Sequence, residues 1–107
     1  MLEIRTYPEG KIMPNYGTYP GETVDGAKRW IEDGILPGDF LQAVIRNDLT
    51  EACARADQYN IILLPEIVAW WYGEAPAASW GSPGRVKEWK KFGGQNGIDR
   101  EGTESSR

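Results

Sequence analysis

The sequence predicts a mainly α-helical protein, a compact bundle of about five short helices with an irregular or short-strand N-terminal arm and a disordered C-terminal tail. Apolar residues recur at spacings of three and four through the middle of the chain, as on one face of a helix. Capping residues precede these segments and glycines follow them. We therefore divide the chain into an arm at 1–20, a helical domain at 21–94 and a tail at 95–107.

The arm is rich in residues that interrupt regular structure. Leu2, Ile4 and Ile12 allow one or two short strands. Proline at this density favours an irregular segment that wraps the body of the domain. Its prolines and glycines are Pro8, Gly10, Pro14, Gly17 and Pro20.

The first two helices are predicted from their caps and apolar stripes. The first runs from about 22 to 33, with Thr23 as N-cap and Gly34 at its end. The second is capped by Gly38 or Asp39. Its apolar stripe consists of Phe40, Leu41, Val44 and Ile45.

The third and fourth helices differ in how clearly their starts are marked. Asp48 is a good N-cap, so the third helix begins there. Its apolar side carries Cys53 beside two alanines, and we expect this thiol to be buried. The fourth helix covers 61–72, and we expect its regular part to begin near Pro65, which has no N–H to donate.

The fifth helix has the strongest start signal. Ser82 is the expected N-cap and Pro83 the first helical residue, and Gly93 and Gly94 end the helix. From residue 95 onward Ile98 is the single apolar residue, which is typical of disorder.

Composition excludes several functions. The chain has no histidine and one cysteine, so histidine-based catalysis and a structural zinc site are not expected. No phosphate-loop, dinucleotide or nucleophile-elbow motif is present. We expect no catalytic residue, metal or cofactor, and we keep paired carboxylates as a weaker catalytic alternative.

Charge and hydropathy limit the kinds of molecule that the protein is expected to bind. The formal net charge is −4, although residues 75–92 hold one acid and four bases. This balance argues against general nucleic-acid binding but permits a local anion site. No signal-peptide pattern and no long apolar run is present, so we expect a cytoplasmic protein without a membrane segment.

The segment from Trp80 to Arg85 is the strongest candidate site. It places an aromatic ring, two glycines, a hydroxyl and a guanidinium around a helix N-terminus, where free N–H groups attract anions. The alternative is a well-capped surface helix whose Trp80 packs on the fourth helix. The predicted ligand-binding residues here are Trp80, Gly81, Ser82, Gly84 and Arg85.

A second polar series lies between the apolar stripes of the middle helices. Its arginines either form ordinary ion pairs or line a pocket for a phosphate or a base edge, and the sequence leaves both open. The series consists of Arg46, Asn47, Arg55 and Asn60.

The aromatic run Trp70, Trp71 and Tyr72 is predicted to form an interface. Consecutive residues of a helix point about 100° apart, so both tryptophans are not expected to face one core. The surrounding helix is apolar nearly all round, which favours a partly subunit-facing position and a homo-oligomer.

Three stretches of the sequence are similar to a known group of proteins. PGDFLQAVIRNDLTEACARADQYN, LPEIVAWWYGEAP and WGSPGRVKEW resemble, in order and spacing, a family of short, mostly uncharacterised bacteriophage and prophage proteins. The resemblance covers about 19–92 and implies a phage accessory protein. Members of that family usually carry an acidic residue where Gly84 or Arg85 stands here, which would complete a capping box with Ser82.

These observations lead to two hypotheses about function. The first is a non-enzymatic accessory protein, of counter-defence type, that sequesters a small nucleotide-type signalling ligand. The second is a protein-interaction module that blocks a host or defence protein. The first hypothesis rests on the arginines and on tryptophans that the core does not need. The second rests on the acidic surface or on the face formed by residues 70–72.

Overall fold

The computed structural model describes residues 13–105, and the side chains of residues 13–100. This part of the chain forms six α-helices and two 3-10 turns and contains no β-strand. The mainly helical prediction is confirmed, with one helix more than expected. The helices are α1 (Val24–Asp33), α2 (Asp39–Ile45), α3 (Leu49–Arg55), α4 (Gln58–Glu74), α5 (Pro83–Phe92) and α6 (Gly94–Ser105), and the 3-10 turns are Tyr16–Thr18 and Ala77–Ser79.

The predicted arm is only partly described. Positions 1–12, including the proposed strand residues Leu2, Ile4 and Ile12, lie outside the described residues. Residues 13–20 form no strand but an extended segment around one 3-10 turn. Asn15 caps this turn by accepting a hydrogen bond from the Gly17 N–H at 3.2 Å.

The starts of α3 and α5 and the end of α1 agree with the sequence pattern. Asp48 caps α3 by accepting from the Glu51 N–H at 3.2 Å, and Ser82 caps α5 by accepting from the Arg85 N–H at 3.2 Å. Gly34 ends α1 in the left-handed region at φ 70°. These starts and stops use contacts within four residues, so the sequence is sufficient to predict them.

The predicted start of α4 near Pro65 is wrong. The helix begins at Gln58 because the Asp57 carboxylate accepts from two first-turn amides, those of Tyr59 at 3.0 Å and Asn60 at 2.7 Å. Pro65 lies inside the helix with its side chain exposed. The Asp57 cap therefore stabilises the helix before Pro65, although a proline at this position normally indicates a helix start.

The predicted disorder of the tail is wrong for 95–105, which belong to α6. Gly34 and Gly94 allow the end of α1 and the start of α6 to approach closely, since a Cβ at Gly94 would lie 2.6 Å from the Asp33 nitrogen. Ile98 packs against the core, and the Asn96 amide donates to the Asp33 carboxylate at 3.0 Å. A single well-placed apolar residue and this tight junction hold a helix that composition does not reveal.

The core is built on four buried tryptophans whose indole N–H groups all have acceptors. Trp30 donates to the Ser79 carbonyl at 2.8 Å and Trp89 to the Trp30 carbonyl at 3.0 Å. Trp70 donates to the Asn15 carbonyl at 3.1 Å and Trp71 to the Tyr19 hydroxyl at 3.4 Å. These bonds remove the cost of burying four polar N–H groups.

Trp70 and Trp71 both face the interior, so the prediction that they do not is wrong. Their side chains are 5% and 0% exposed within the chain, whereas Tyr72 is 84% exposed. Residues 13–20 cover the side of α4 on which Trp70 lies, and the Tyr19 ring meets the Trp70 ring edge-on at 4.7 Å. Of the three predicted interface residues, Tyr72 alone remains on the surface.

Two further features concern α3 and the helix lengths. Cys53 is an exposed free thiol, which corrects the expectation of a buried one, since Ala52 takes the buried position of α3.

No helix within residues 13–105 combines the length and hydropathy needed to cross a bilayer.

Candidate functional site

The segment from Trp80 to Arg85 is held against two other helices. The Trp80 ring is half-buried and lies 6.2 Å from the Trp71 ring of α4, centroid to centroid. Gly81, at φ 110°, donates its N–H to the Ile45 carbonyl at the end of α2 at 2.6 Å. Trp80 and Gly81 thus fix the position of the loop, as the packing alternative from the sequence expects.

The start of α5 satisfies most of its own backbone donors. The Arg85 N–H bonds the Ser82 hydroxyl at 3.2 Å, and the Val86 N–H bonds the Ser82 carbonyl at 3.1 Å. Pro83 has no N–H. Of the first-turn amides, that of Gly84 is left for an external group, so the helix start alone offers little to an anion.

The Arg85 side chain is anchored by its own loop. Its Nη1 atom donates to the Ala77 and Trp80 carbonyl oxygens, each at 3.3 Å. Nε–H and both hydrogens of Nη2 take no part in these two bonds. The guanidinium is therefore held in place on one edge while its other edge keeps donors for a ligand.

Arg85 lies at one side of a groove of about 460 Å³ between the 3-10 turn Ala77–Ser79, α5 and α6. Arg85 and Glu88 are the charged residues of the lining, and Phe92 is 43% exposed. The rest of the lining is apolar or small, so the groove joins an apolar surface to one fixed cation and one carboxylate. Its lining residues are Ala77, Ala78, Gly84, Arg85, Glu88, Trp89, Phe92 and Ile98.

The structure divides the first predicted set of site residues. Gly84 and Arg85 line the groove. Trp80, Gly81 and Ser82 are not part of the lining and support the loop and the helix start instead. The exposed aromatic ring of the groove lining is that of Phe92, not that of Trp80.

The second polar series does not converge on the groove. The Arg55 guanidinium pairs with Asp39 at 3.4 Å and Glu51 at 3.2 Å, which is the ordinary ion-pair alternative. Arg46 is exposed at the end of α2, and Asn47 follows it at φ 63°, a conformation that asparagine tolerates. Arg55 therefore serves in surface ion pairs, and Arg46 and Asn47 lie where the chain turns after α2.

Asn60 lies in a different part of the molecule. It contributes to two neighbouring cavities of about 360 and 320 Å³, beside Leu63 in one and Phe40 in the other. Asp39, the partner of Arg55, lines the second of these. The structure therefore places Asn60 and Arg55 on the same side of the molecule but in no shared contact.

Sequence reasoning missed Glu88, Phe92 and Ile98 as parts of the site. Arg85, Glu88 and Phe92 are spaced three and four residues apart, so they share one face of α5. This spacing indicates from the sequence alone that Glu88 and Phe92 lie beside Arg85. Ile98 had none, because its segment was expected to be disordered.

Within the described part of the chain, neither a shifted pKa nor a cluster of metal-ligating side chains indicates a second site. Burial raises the pKa of the Tyr19 hydroxyl, although hydrogen bonds with Thr23 and Trp71 act in the opposite direction. Tyr19 belongs to the core and not to the groove. Residues 13–105 bring together no group of three metal-ligating side chains.

Comparison with other proteins gives no further guide to function: no family model, curated protein or solved structure matches the chain.

Proposed function

We propose that this protein is a non-enzymatic binding protein that holds a small, nucleotide-type anion in the groove between α5, α6 and the 3-10 turn Ala77–Ser79. The observation that carries the proposal is the Arg85 side chain, which is anchored to two loop carbonyls beside an apolar groove. An arginine fixed in this way loses little side-chain entropy when it binds a phosphate or carboxylate.

The lining suggests how a nucleotide would be held. Nε–H and Nη2–H of Arg85 match two oxygens of a phosphate. The exposed Phe92 offers a surface for a planar base, and the Glu88 carboxylate accepts hydrogen bonds from ring N–H or amino groups. A groove of about 460 Å³ lies in the usual size range of ligand sites.

Local charge supports an anionic ligand. Although the whole chain carries −4, residues 75–92 hold one acid and four bases. The lysines of this stretch, Lys87, Lys90 and Lys91, are exposed on α5 and raise the potential around Arg85. An anion would thus be attracted to this side of an otherwise acidic protein.

The biological setting is also part of the proposal. The resemblance to bacteriophage and prophage proteins supports an accessory, counter-defence role in the cytoplasm of an infected or lysogenic bacterium. In that setting a binding protein lowers the free concentration of a signalling nucleotide without chemistry. No histidine, metal or cofactor is needed for such sequestration.

A melting screen with a nucleotide panel tests this function. Cyclic nucleotides and ADP-ribose-type nucleotides at micromolar concentration are expected to raise the melting temperature by several degrees. Arg85→Ala should weaken binding of the responding nucleotide by at least about tenfold, because it removes a charge-assisted, two-point contact.

Lys87→Ala is the matched control. It removes the same charge from an exposed position of the same helix, outside the groove lining. Binding should weaken by less than about threefold, since an exposed charge at a distance is screened. Equal losses in the two variants would indicate non-specific attraction, and a panel without any response would exclude a nucleotide ligand.

The second candidate function is a module that blocks a host or defence protein. It would require an exposed interaction face, and α4 provides one. We assign that face to a second copy of the chain below, so the groove is the better supported basis for function.

A further inference from the structure

One side of α4 carries exposed apolar side chains along its length of 17 residues. Ile62 is 76% and Tyr72 84% exposed, and Ile61 and Val68 are 43% and 37% exposed. A contiguous apolar surface of this kind is uncommon unless another molecule covers it. The exposed apolar residues of this face, called the α4 face below, are Ile61, Ile62, Pro65, Val68, Ala69 and Tyr72.

The spacing of this face is that of a helix that packs on another helix. Ile61, Pro65, Val68 and Tyr72 follow one another at intervals of four, three and four, which is the seam of a coiled-coil contact. A partner helix is therefore the shape that fits, rather than a flat surface or a small molecule.

The same four residues are arranged symmetrically about the midpoint between Glu66 and Ile67. Ile61 and Tyr72 lie at equal distances on either side of it, as do Pro65 and Val68. In an antiparallel pair of identical helices, Ile61 of each copy would thus meet Tyr72 of the other. Such reciprocal contacts are what a two-fold interface requires.

The charge of the α4 face is compatible with a copy of this chain as the partner. Between positions 58 and 73 the one charged residue is Glu66, which points about 100° away from Pro65. Two acidic chains repel each other, and a face without charge is where they can approach most closely. A partner of opposite charge would find nothing to pair with here.

We propose that the chain forms an antiparallel two-fold homodimer through the α4 face, with Ile61 of each copy packed against Tyr72 of the other. Covering the six exposed side chains of this face in both copies would bury on the order of 1,000 Å² in total, about the minimum for a specific interface. The groove at Arg85 lies on other elements, so this proposal does not depend on the proposed function.

Sedimentation of the full chain over a micromolar to low-millimolar concentration series tests the dimer. The wild type is expected to dimerise, and Ile61→Lys or Tyr72→Glu should each weaken dimerisation by at least about tenfold, because a charge is then buried against an apolar residue. Thr50→Lys, at an exposed position of α3, is the control and should dimerise as the wild type does. Circular dichroism of each variant establishes that it is folded.

A mixture of Ile61→Lys with Tyr72→Glu tests the antiparallel pairing. In the mixed dimer, the lysine introduced at position 61 of one copy faces the glutamate introduced at position 72 of the other, and the second contact is the native pair. Dimerisation of the mixture should recover to within about threefold of the wild type. A monomeric wild type, variants that still dimerise, or a mixture that stays monomeric would each overturn the proposal.

Discussion

At the scale of single residues, Tyr19 joins the segment before α1 to the core. Its hydroxyl is hydrogen-bonded to the Thr23 hydroxyl at 2.7 Å and accepts the Trp71 indole N–H at 3.4 Å. Because the phenol is buried, its pKa is raised above the usual value near 10. The fold therefore favours the neutral phenol over the phenolate.

This shift gives a pH dependence with a definite sign. The stability from neutral Tyr19 is fully present below the unfolded pKa, about 10, and is lost as the pH rises through the raised folded pKa. The urea midpoint of the wild type should fall above pH 10 more steeply than that of Tyr19→Phe, which has no hydroxyl to ionise. Equal slopes in the two proteins would contradict a buried Tyr19.

At the scale of elements, the contact between α1 and α6 depends on glycine. Gly94 has φ 72°, and a Cβ there would lie 2.6 Å from backbone atoms of Asp33 and Glu32. No side chain moves aside to make room, because the obstructing atoms belong to the backbone. A larger residue at position 94 therefore forces the two backbone segments apart.

Two glycine substitutions with opposite expected signs test this junction. Gly94→Ala should lower the free energy of unfolding by about 2–4 kcal/mol, since it adds both a clash and a strained φ. Gly73→Ala, in a position of α4 with nothing within 4 Å, should raise it by about 0.5 kcal/mol through helix propensity. Urea unfolding measures both. An unchanged midpoint for Gly94→Ala would mean that α6 does not pack on α1 as described.

Also at this scale, local capping contacts are predictable where no other signal competes with them, and contacts between distant segments are not. Asp48, Ser82 and Gly34 act on amides or carbonyls of their own helix ends, and the sequence predicted them. The start of α4 and the whole of α6 were missed. In the first case a proline concealed a strong cap, and in the second the stabilising contacts join residues far apart in sequence, as between Asn96 and Asp33.

At the scale of the whole molecule, the same limit applies to the candidate site. Gly84 and Arg85, which the sequence places in one candidate segment, both line the groove. Trp80, which the sequence groups with them, packs on Trp71 instead. The groove exists because α6 covers one side of it with Ile98. If α6 is taken to be disordered, the sequence therefore predicts no groove.

Whole-molecule packing also decides which surfaces remain available. Residues 13–20 cover Trp70 and leave Tyr72 exposed, although the two differ by two positions on one helix. With four tryptophans buried and their N–H groups bonded, two distinct surfaces stand out: the groove beside Arg85 and the α4 face. We propose that the first binds a small anion and that the second binds another copy of the chain.

The most direct test of the central claim is to map ligand contacts by NMR, using the panel nucleotide that raises the melting temperature most. The amide shifts are expected to be largest at 77–78, 84–92 and 98, and small on α3 and on the first turns of α4. Largest shifts around Asn60 or Arg55, with the groove amides unchanged, would contradict the assignment of the binding site to Arg85 and its groove.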